Sequence, residues 1–184
     1  MAWLIVGLLL ALFMFWTLGA HNRLVRLRGE VTHQWGTVDV FWLKWLMRFQ
    51  GAISARQILA WASEAQDLQA LQEASDALVE ALADARSQSL NEVALQKVVG
   101  QHEALLSSID RVMLTAPDTV KPDLLSAQNK IVQGLPIALS SYHLACDAYN
   151  QAINQSPARW LARRLGLRPA LHLRFNGRTV PWAT

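Results

Sequence analysis

The first stretch of the chain, from Ala2 to Ala20, contains no charged residue. Because each helical residue adds about 1.5 Å, a helix over this stretch spans roughly 28 Å, close to the ~30 Å hydrocarbon core of a bilayer. Trp3 and Trp16 lie near its two ends, where interfacial aromatic residues are enriched. The sequence therefore predicts a single transmembrane anchor over residues 1–21, fixed at its ends by these two tryptophans.

A cleaved signal peptide is the competing interpretation. It is disfavoured because no basic residue precedes the apolar run and because Thr17–Ala20 is a poor small-x-small cleavage site. Three arginines follow the run at once: Arg23, Arg26 and Arg28. The positive-inside rule then places the bulk of the chain in the cytoplasm and these arginines at the membrane surface.

The formal charge is distributed unevenly along the chain. Residues 1–56 carry +4, residues 57–155 carry −7 and residues 156–184 carry +6. A nucleic-acid-binding protein usually spreads its basic groups over one folded face, whereas here they flank the anchor and form the tail. The predicted partner is a bilayer with anionic headgroups, and no nucleic acid. The single cysteine, Cys146, excludes an internal disulfide.

Beyond the anchor, apolar residues recur every three or four positions almost to residue 156, without sustained period-two alternation. Breaks are expected at Gly51–Ser54, at Ser87–Asn91 and at Ala116–Thr119, and the segment between the first two has a coiled-coil-type seam. Four helices with short connections pack most simply as an antiparallel four-helix bundle, here over residues 22–155. The predicted fold class is all-α: one transmembrane helix, then the bundle, then a short basic tail.

The tail, residues 156–184, has the outline of an interfacial amphipathic helix that begins at Ser156-Pro157. Its membrane-surface residues are predicted to be Arg159, Trp160, Arg163, Arg164 and Arg168. A disordered basic end is the alternative. A small hairpin ahead of Asn176-Gly177 is also compatible with the alternation of Leu171, Leu173 and Phe175.

The first bundle helix is unusually rich in aromatic residues. We expect these side chains to cover more than one face, so that one core cannot hide them all and the surplus meets lipid, a second subunit or a partner. A wide core helix with Lys44 and Arg48 reaching outward is the alternative. The predicted oligomer or partner interface consists of Trp35, Phe41, Trp42, Trp45 and Phe49.

Two blocks of the chain contain distinctive short motifs. The first contains N-x-L-x-x-L-R (Asn22 to Arg28), V-x-x-x-W (Val31 to Trp35) and V-D-V-x-x-x-K (Val38 to Lys44); the second contains A-Y-N-x-x-I-x-x-x-P (Ala148 to Pro157). In these motifs and in their order the chain resembles the LemA family. The chain departs from the family pattern after the first block, where WLMRFQGAIS is aromatic and lacks the expected proline. The resemblance is that of a divergent member, and it implies a four-helix bundle on a membrane anchor, a bacterial inner-membrane location and no established enzyme activity.

The sequence offers little for chemistry, because it contains no phosphate-binding glycine loop, HExxH, GxSxG or paired CxxC. His143 and Cys146 are spaced to share a helical face and hold a metal, although buried packing is the better interpretation of this pair. His102 is expected to be a core histidine bonded to a neighbouring helix, with a pH sensor as the alternative. Asp39 is predicted either to bond to Tyr149 or Asn150, or to be exposed.

These patterns predict a protein that is not an enzyme and needs no cofactor. It would be a membrane-anchored helical scaffold or adaptor that forms homo-oligomers and organises membrane protein partners. The alternative is a binding module for a small apolar ligand or metal in the bundle core, using His102, His143 and Cys146.

Overall fold

The computed structural model describes residues 2–56, 65–115, 118, 121–156 and 158–175. Within these residues the chain forms five helices and no strand: α1 Ala2–Arg56, α2 Ala65–Ser87, α3 Glu92–Thr115, α4 Lys121–Asn154 and α5 Ala158–Arg164. The prediction of an all-α chain is confirmed for this part of the chain. The turn of the hairpin considered above, Asn176-Gly177, lies outside the described residues.

The first helix, α1, runs without a break for 55 residues. The predicted break at Gly51–Ser54 is wrong, since both residues lie inside α1. One glycine in a helix interior costs only about 1 kcal/mol. Leu46 and Phe49, five and two residues before Gly51, are both buried. Burying each such side chain stabilises the helix in the fold by about 1.5–3 kcal/mol. Helix α1 also continues through residue 21, where the predicted anchor ends.

The other helix boundaries follow local sequence signals. Asn91 caps α3, because its Oδ1 accepts a hydrogen bond from the backbone N–H of Val93 at 3.0 Å. α4 continues through Gly134, where the ring of Phe41 from α1 packs so closely that a Cβ would lie 2.6 Å from its Cζ. Glycine at this position therefore allows α1 and α4 to approach each other.

Helix α1 packs along α4, and α2 packs along α3; α1 also touches α2 and α5, while α3 touches α4. The contacts between α1 and α4 give their direction. The ring of Trp35 lies 5.8 Å from that of Tyr142, and Trp45 Nε1 donates to the Ala127 carbonyl at 2.8 Å. Partner numbers fall along α4 as they rise along α1, so the two helices run in opposite directions. Between α2 and α3, Lys97 of α3 bonds Glu80 and Asp84 of α2.

The core lies between these helices and draws on all of them. Its largest fully buried side chains are Trp35, Trp42, Tyr142, Tyr149, Leu24, Leu46, Leu71, Leu78, Leu82, Leu95, Leu105 and Ile109. Most of these residues belong to the apolar stripes, that is, to the apolar residues that recur every three or four positions along the sequence. The stripes therefore predicted which face of each helix is buried.

Candidate functional site

The first part of α1 is exposed in the isolated chain. It contains a window, near the N-terminus, that is long and apolar enough to cross a membrane, and none of that window is buried. Trp3 is 89% exposed, while Trp16 is half-buried and packs its ring 6.1 Å from Phe13. This accords with the predicted anchor in length and composition.

Helix α5 packs against α1. Leu24 of α1 is buried and borders two clefts, one lined also by Ala158 and the other by Leu165, so α5 meets α1 close to Leu24. One cleft, of about 310 Å³, is lined by Trp16, Gly19 and Arg23 among others on α1 and by Gln155 and Ser156 after α4; we call it the juxtamembrane cleft. The other lies between α1 and Leu165 and Leu167, and Arg28 lines it.

The residues of α5 divide into a buried group and an exposed group, and the exposed group contains four of the predicted membrane-surface residues. Ala162 is buried against the core, whereas Arg159, Trp160, Arg163 and Arg164 are exposed. The guanidinium of Arg164 lies 5.9 Å from the centre of the Trp160 ring, within cation–π range. Arg23, Arg26, Arg28 and Arg168 are also exposed. Arg28 lines one cleft with Leu165 and Leu167, and Arg23 lines the other with Ala158, so arginines of α1 lie close to the segment that carries the tail arginines.

The residues after α5 return along the body as an ordered segment, which we call the strap (residues 167–175). Gly166 begins this return with φ of 63°, and Leu167 N–H donates to the Ala162 carbonyl at 3.0 Å, the pattern of a Schellman cap. Asn150 then holds the strap at two points: its Oδ1 accepts from Ala170 N–H at 2.7 Å, and its Nδ2 donates to the Ala170 carbonyl at 2.9 Å. The alternative of a disordered basic end is wrong for residues 158–175.

Further contacts fix the strap over α4 and α1. Tyr142 donates its hydroxyl hydrogen to the Leu171 carbonyl at 2.8 Å, and His172 Nε2 lies 3.0 Å from Asp147 Oδ1. The ring of Phe175 packs against Trp42 and His102, with ring centres 5.8 and 4.9 Å apart. The strap therefore covers part of the aromatic core.

The expectation that one core cannot hide the aromatic residues of α1 is wrong. Trp35, Trp42, Trp45 and Phe49 are buried, and Phe41 is half-buried against Gly134. At about 100° per residue, the four buried positions lie within an arc of roughly 80°, which is one helix face. Lys44 and Arg48 are exposed, as in the wide-core alternative. These buried side chains offer little surface to a second subunit.

His102 and Asp39 are both buried, but neither has the predicted partner. His102 packs edge-on to Trp42 with its Nδ1 unpartnered, and burial lowers its pKa to about 4. Asp39 bonds Arg86 of α2, with Nε 2.8 Å from Oδ2, so both alternatives drawn for it are wrong. Asn150 bonds the strap instead.

The His143–Cys146 pair gives no sign of metal binding among the described residues, where no group of three or more His, Cys, Asp or Glu could hold an ion. Cys146 is buried, its Sγ lies 3.8 Å from the Leu171 carbonyl, and burial raises the thiol pKa to about 11. His143 has a lowered pKa, chiefly through burial and also through nearby His172. Both residues pack beneath the strap.

Comparison with known proteins identified no relative. The chain matches no family model, no curated protein and no solved structure. The resemblance to the LemA family therefore rests on the residues quoted above.

Sequence reasoning missed several interactions that connect distant segments, among them Arg86 with Asp39 and Asn150 with Ala170. Both join residues far apart in the chain, so helical periodicity carries no signal for them. The position of Asp39 between two valines could have indicated the pair with Arg86, since a buried carboxylate requires a cation or hydrogen-bond donors.

Proposed function

We propose that this protein is a non-enzymatic, single-pass membrane scaffold or adaptor, a divergent member of the LemA family. In this proposal α1 to α4 form an antiparallel four-helix bundle that stands on the bacterial inner membrane, with its bulk in the cytoplasm. The opposite directions of α1 and α4, together with the packing of α2 along α3, support such a bundle. The two blocks of family-like residues support the family.

The observation that carries the proposal is the continuity of α1. One helix contains both the exposed apolar window and the buried Trp35–Phe49 face. Leaving ten or more large apolar side chains in water is strongly unfavourable, at about 1.5–3 kcal/mol for each one that lipid would otherwise cover. A bilayer around the window removes that cost and holds the bundle at a fixed distance.

The arginines support an attachment to anionic headgroups. Arg159, Arg163 and Arg164 lie on α5, which meets α1 close to Leu24, and Arg23, Arg26 and Arg28 lie on α1 itself. Each cation near an anionic surface contributes about 1 kcal/mol. With exposed Trp160 among them, α5 is suited to lie in the headgroup region.

Self-association is part of the proposal and is assigned to surfaces that stay exposed. Ile137 and Leu144 of α4 are 74% and 70% exposed and lie two helical turns apart on one face. A second copy or a membrane protein partner would cover them. Mass photometry of detergent-extracted protein should find more than a monomer, and Ile137→Glu with Leu144→Glu should lower the mass if this face is used; a monomer in the unsubstituted protein contradicts self-association.

Carbonate extraction of membranes from expressing cells tests the anchor. The unsubstituted chain should stay in the pellet, whereas Leu9→Arg with Phe13→Arg should release it, because each arginine at mid-bilayer costs about 2.5–3.5 kcal/mol. Leu114→Arg is the matched control, since Leu114 is exposed on the body, and it should stay in the pellet. Extraction of the unsubstituted chain into the wash contradicts the proposal.

One observation favours the second candidate, a binding module for a small apolar ligand in the core. Trp35 Nε1, Trp42 Nε1 and His102 Nδ1 are buried without a hydrogen-bond partner and belong to one ring cluster. Such groups cost about 1–3 kcal/mol each when left unpaired, so an otherwise apolar ligand that carries an acceptor atom would stabilise the two indole N–H groups. Native mass spectrometry of purified protein should detect a co-purified small molecule in this case, and a bare mass rules against it.

A further inference from the structure

The juxtamembrane cleft, of about 310 Å³, is lined by both apolar and polar residues. Its apolar residues include Gly19, Trp16 and buried Leu24, which we call its apolar floor. Arg23, Gln155 and Ser156 also line it and supply hydrogen-bond donors. Gly19 leaves open space, since a Cβ built there meets no atom within 4 Å.

The surroundings of the cleft are strongly and uniformly cationic. Arg23, Arg26 and Arg28 precede the first acidic residue of the chain, Glu30, and no acidic residue follows Asp147. Among the described residues Arg23 forms no ion pair, and the side chains of Gln155 and Ser156 make no hydrogen bond. These groups remain available to a ligand that is negatively charged and offers acceptor oxygens.

The position of the cleft selects a ligand that has an acyl chain. Trp16 and Gly19 belong to the end of the uncharged run Ala2–Ala20, whereas Arg23 lies one helical turn beyond Gly19. A phosphate at Arg23 would therefore have its glycerol beside Ser156 and its hydrocarbon along Gly19 and Trp16, parallel to the exposed face of α1. A free phosphate or a soluble phosphomonoester would leave that apolar floor uncovered.

We propose that the juxtamembrane cleft is a binding site for one anionic glycerophospholipid, with its phosphate on Arg23 and one acyl chain against Gly19 and Trp16. The site rests on the proposed membrane anchoring of α1. It goes beyond a general attraction of arginines to the bilayer, because it places one lipid molecule in one cleft. The lipid also fills the gap between α1 and the junction of α4 with α5, and so fixes α5 against α1.

The test uses full-length protein in nanodiscs made from phosphatidylethanolamine and phosphatidylglycerol. Native mass spectrometry after release from the disc should find one retained phosphatidylglycerol. Arg23→Gln should lower that retention about fivefold, the effect of ~1 kcal/mol for one surface cation. Arg26→Gln makes the same charge change at an exposed arginine that does not line the cleft, and it should leave retention unchanged. Equal losses in the two variants would reduce the effect to general electrostatics and overturn the site.

A second pair of variants tests the acyl-chain floor without a change of charge. Gly19→Leu fills the cleft and should abolish retention, whereas Gly7→Leu, at another glycine of the apolar window with equally open space, should not. Excess soluble glycerol phosphate should not displace the retained lipid; displacement would contradict the role of the acyl chain. Failure of carbonate extraction to keep the chain in membranes would refute the anchor itself, whereas an integrated chain that retains no phosphatidylglycerol refutes only the lipid site.

Discussion

Arg86 of α2 forms a two-point ion pair with Asp39 of α1: its Nε lies 2.8 Å from Oδ2 and its Nη2 lies 3.2 Å from Oδ1. The Asp39 side chain is 5% exposed and that of Arg86 is 54% exposed. The Asp39 carboxylate is therefore the group that needs the ion pair, because it is shielded from water whereas the Arg86 guanidinium is still hydrated. The pair also fixes the register of α2 against α1.

This asymmetry predicts that Arg86→Ala destabilises more than Asp39→Asn. Loss of Arg86 leaves a buried carboxylate unpaired, at a cost of about 2–3 kcal/mol, whereas the neutral amide that Asp39→Asn introduces can still accept a hydrogen bond from Arg86. Urea unfolding followed by far-UV circular dichroism measures both variants. Lys97→Ala, which removes an exposed pair with Glu80 and Asp84, is the control and should change little. Equal effects of Arg86→Ala and Asp39→Asn would contradict the prediction.

Asn150 should control the docking of the strap. Asn150→Ala removes both hydrogen bonds to Ala170, at about 0.5–1.5 kcal/mol each, and should raise hydrogen exchange at the Ala170 amide. Asn154→Ala is the matched control, because Asn154 is exposed and its Nδ2 bonds only the Asn150 carbonyl. Unchanged exchange in Asn150→Ala would mean that Tyr142 and Phe175 hold the strap without it.

Cys146 supplies a chemical readout of the same segment. The thiol is buried, contacts the Leu171 carbonyl, and has a pKa raised by burial to about 11, so only a small fraction is thiolate at neutral pH. We predict slow labelling by maleimide in the native protein and faster labelling in Asn150→Ala. Rapid labelling of the unsubstituted protein at neutral pH would contradict a closed strap. As the chain has one cysteine, the modified fraction reports this site alone.

Acid should destabilise the body through His102. Burial lowers its pKa from the ordinary 6.5 to about 4, so between these values the folded state binds fewer protons than the unfolded state. The stabilisation is complete above about pH 6.5 and is lost as pH falls towards 4, by at most about 3 kcal/mol. His102→Gln should flatten the decrease of Tm over this pH range, whereas His33→Gln, at an exposed histidine, should not; identical slopes in all three proteins would refute the assignment.

The contact between Phe41 and Gly134 predicts a coupled pair. Gly134→Ala gains about 1 kcal/mol of helix propensity but places a methyl group 2.6 Å from Phe41 Cζ, and overpacking costs about 1–3 kcal/mol. We expect a small net loss of stability that Phe41→Leu reverses in the double variant. A double-mutant cycle by urea unfolding measures the coupling; strict additivity would show that the ring moves aside freely.

The sequence predicted what depends on local periodicity and missed what depends on tertiary contact. The stripe Leu95, Val98 and Leu105 is buried as its spacing indicates. The strap was not predicted, because Leu171 and Leu173 alternate as a strand would, yet their segment bonds to side chains of α4 rather than to another strand. The aromatic residues of α1 were wrongly expected to cover more than one face. Trp35, Trp42, Trp45 and Phe49 are spread over fifteen residues, yet on a straight helix they fall within one arc of roughly 80°.

The unbroken course of α1 has a mechanical consequence. At about 1.5 Å per residue, Trp42 lies roughly 36 Å along the axis from Leu18, with no flexible joint between them. If α1 spans a bilayer as proposed, a tilt of α1 would move the whole body with it. A rotation of α1 about its own axis would change the direction that α2 and α3 face. Bilayer thickness or curvature would thereby set which way the acidic helices point.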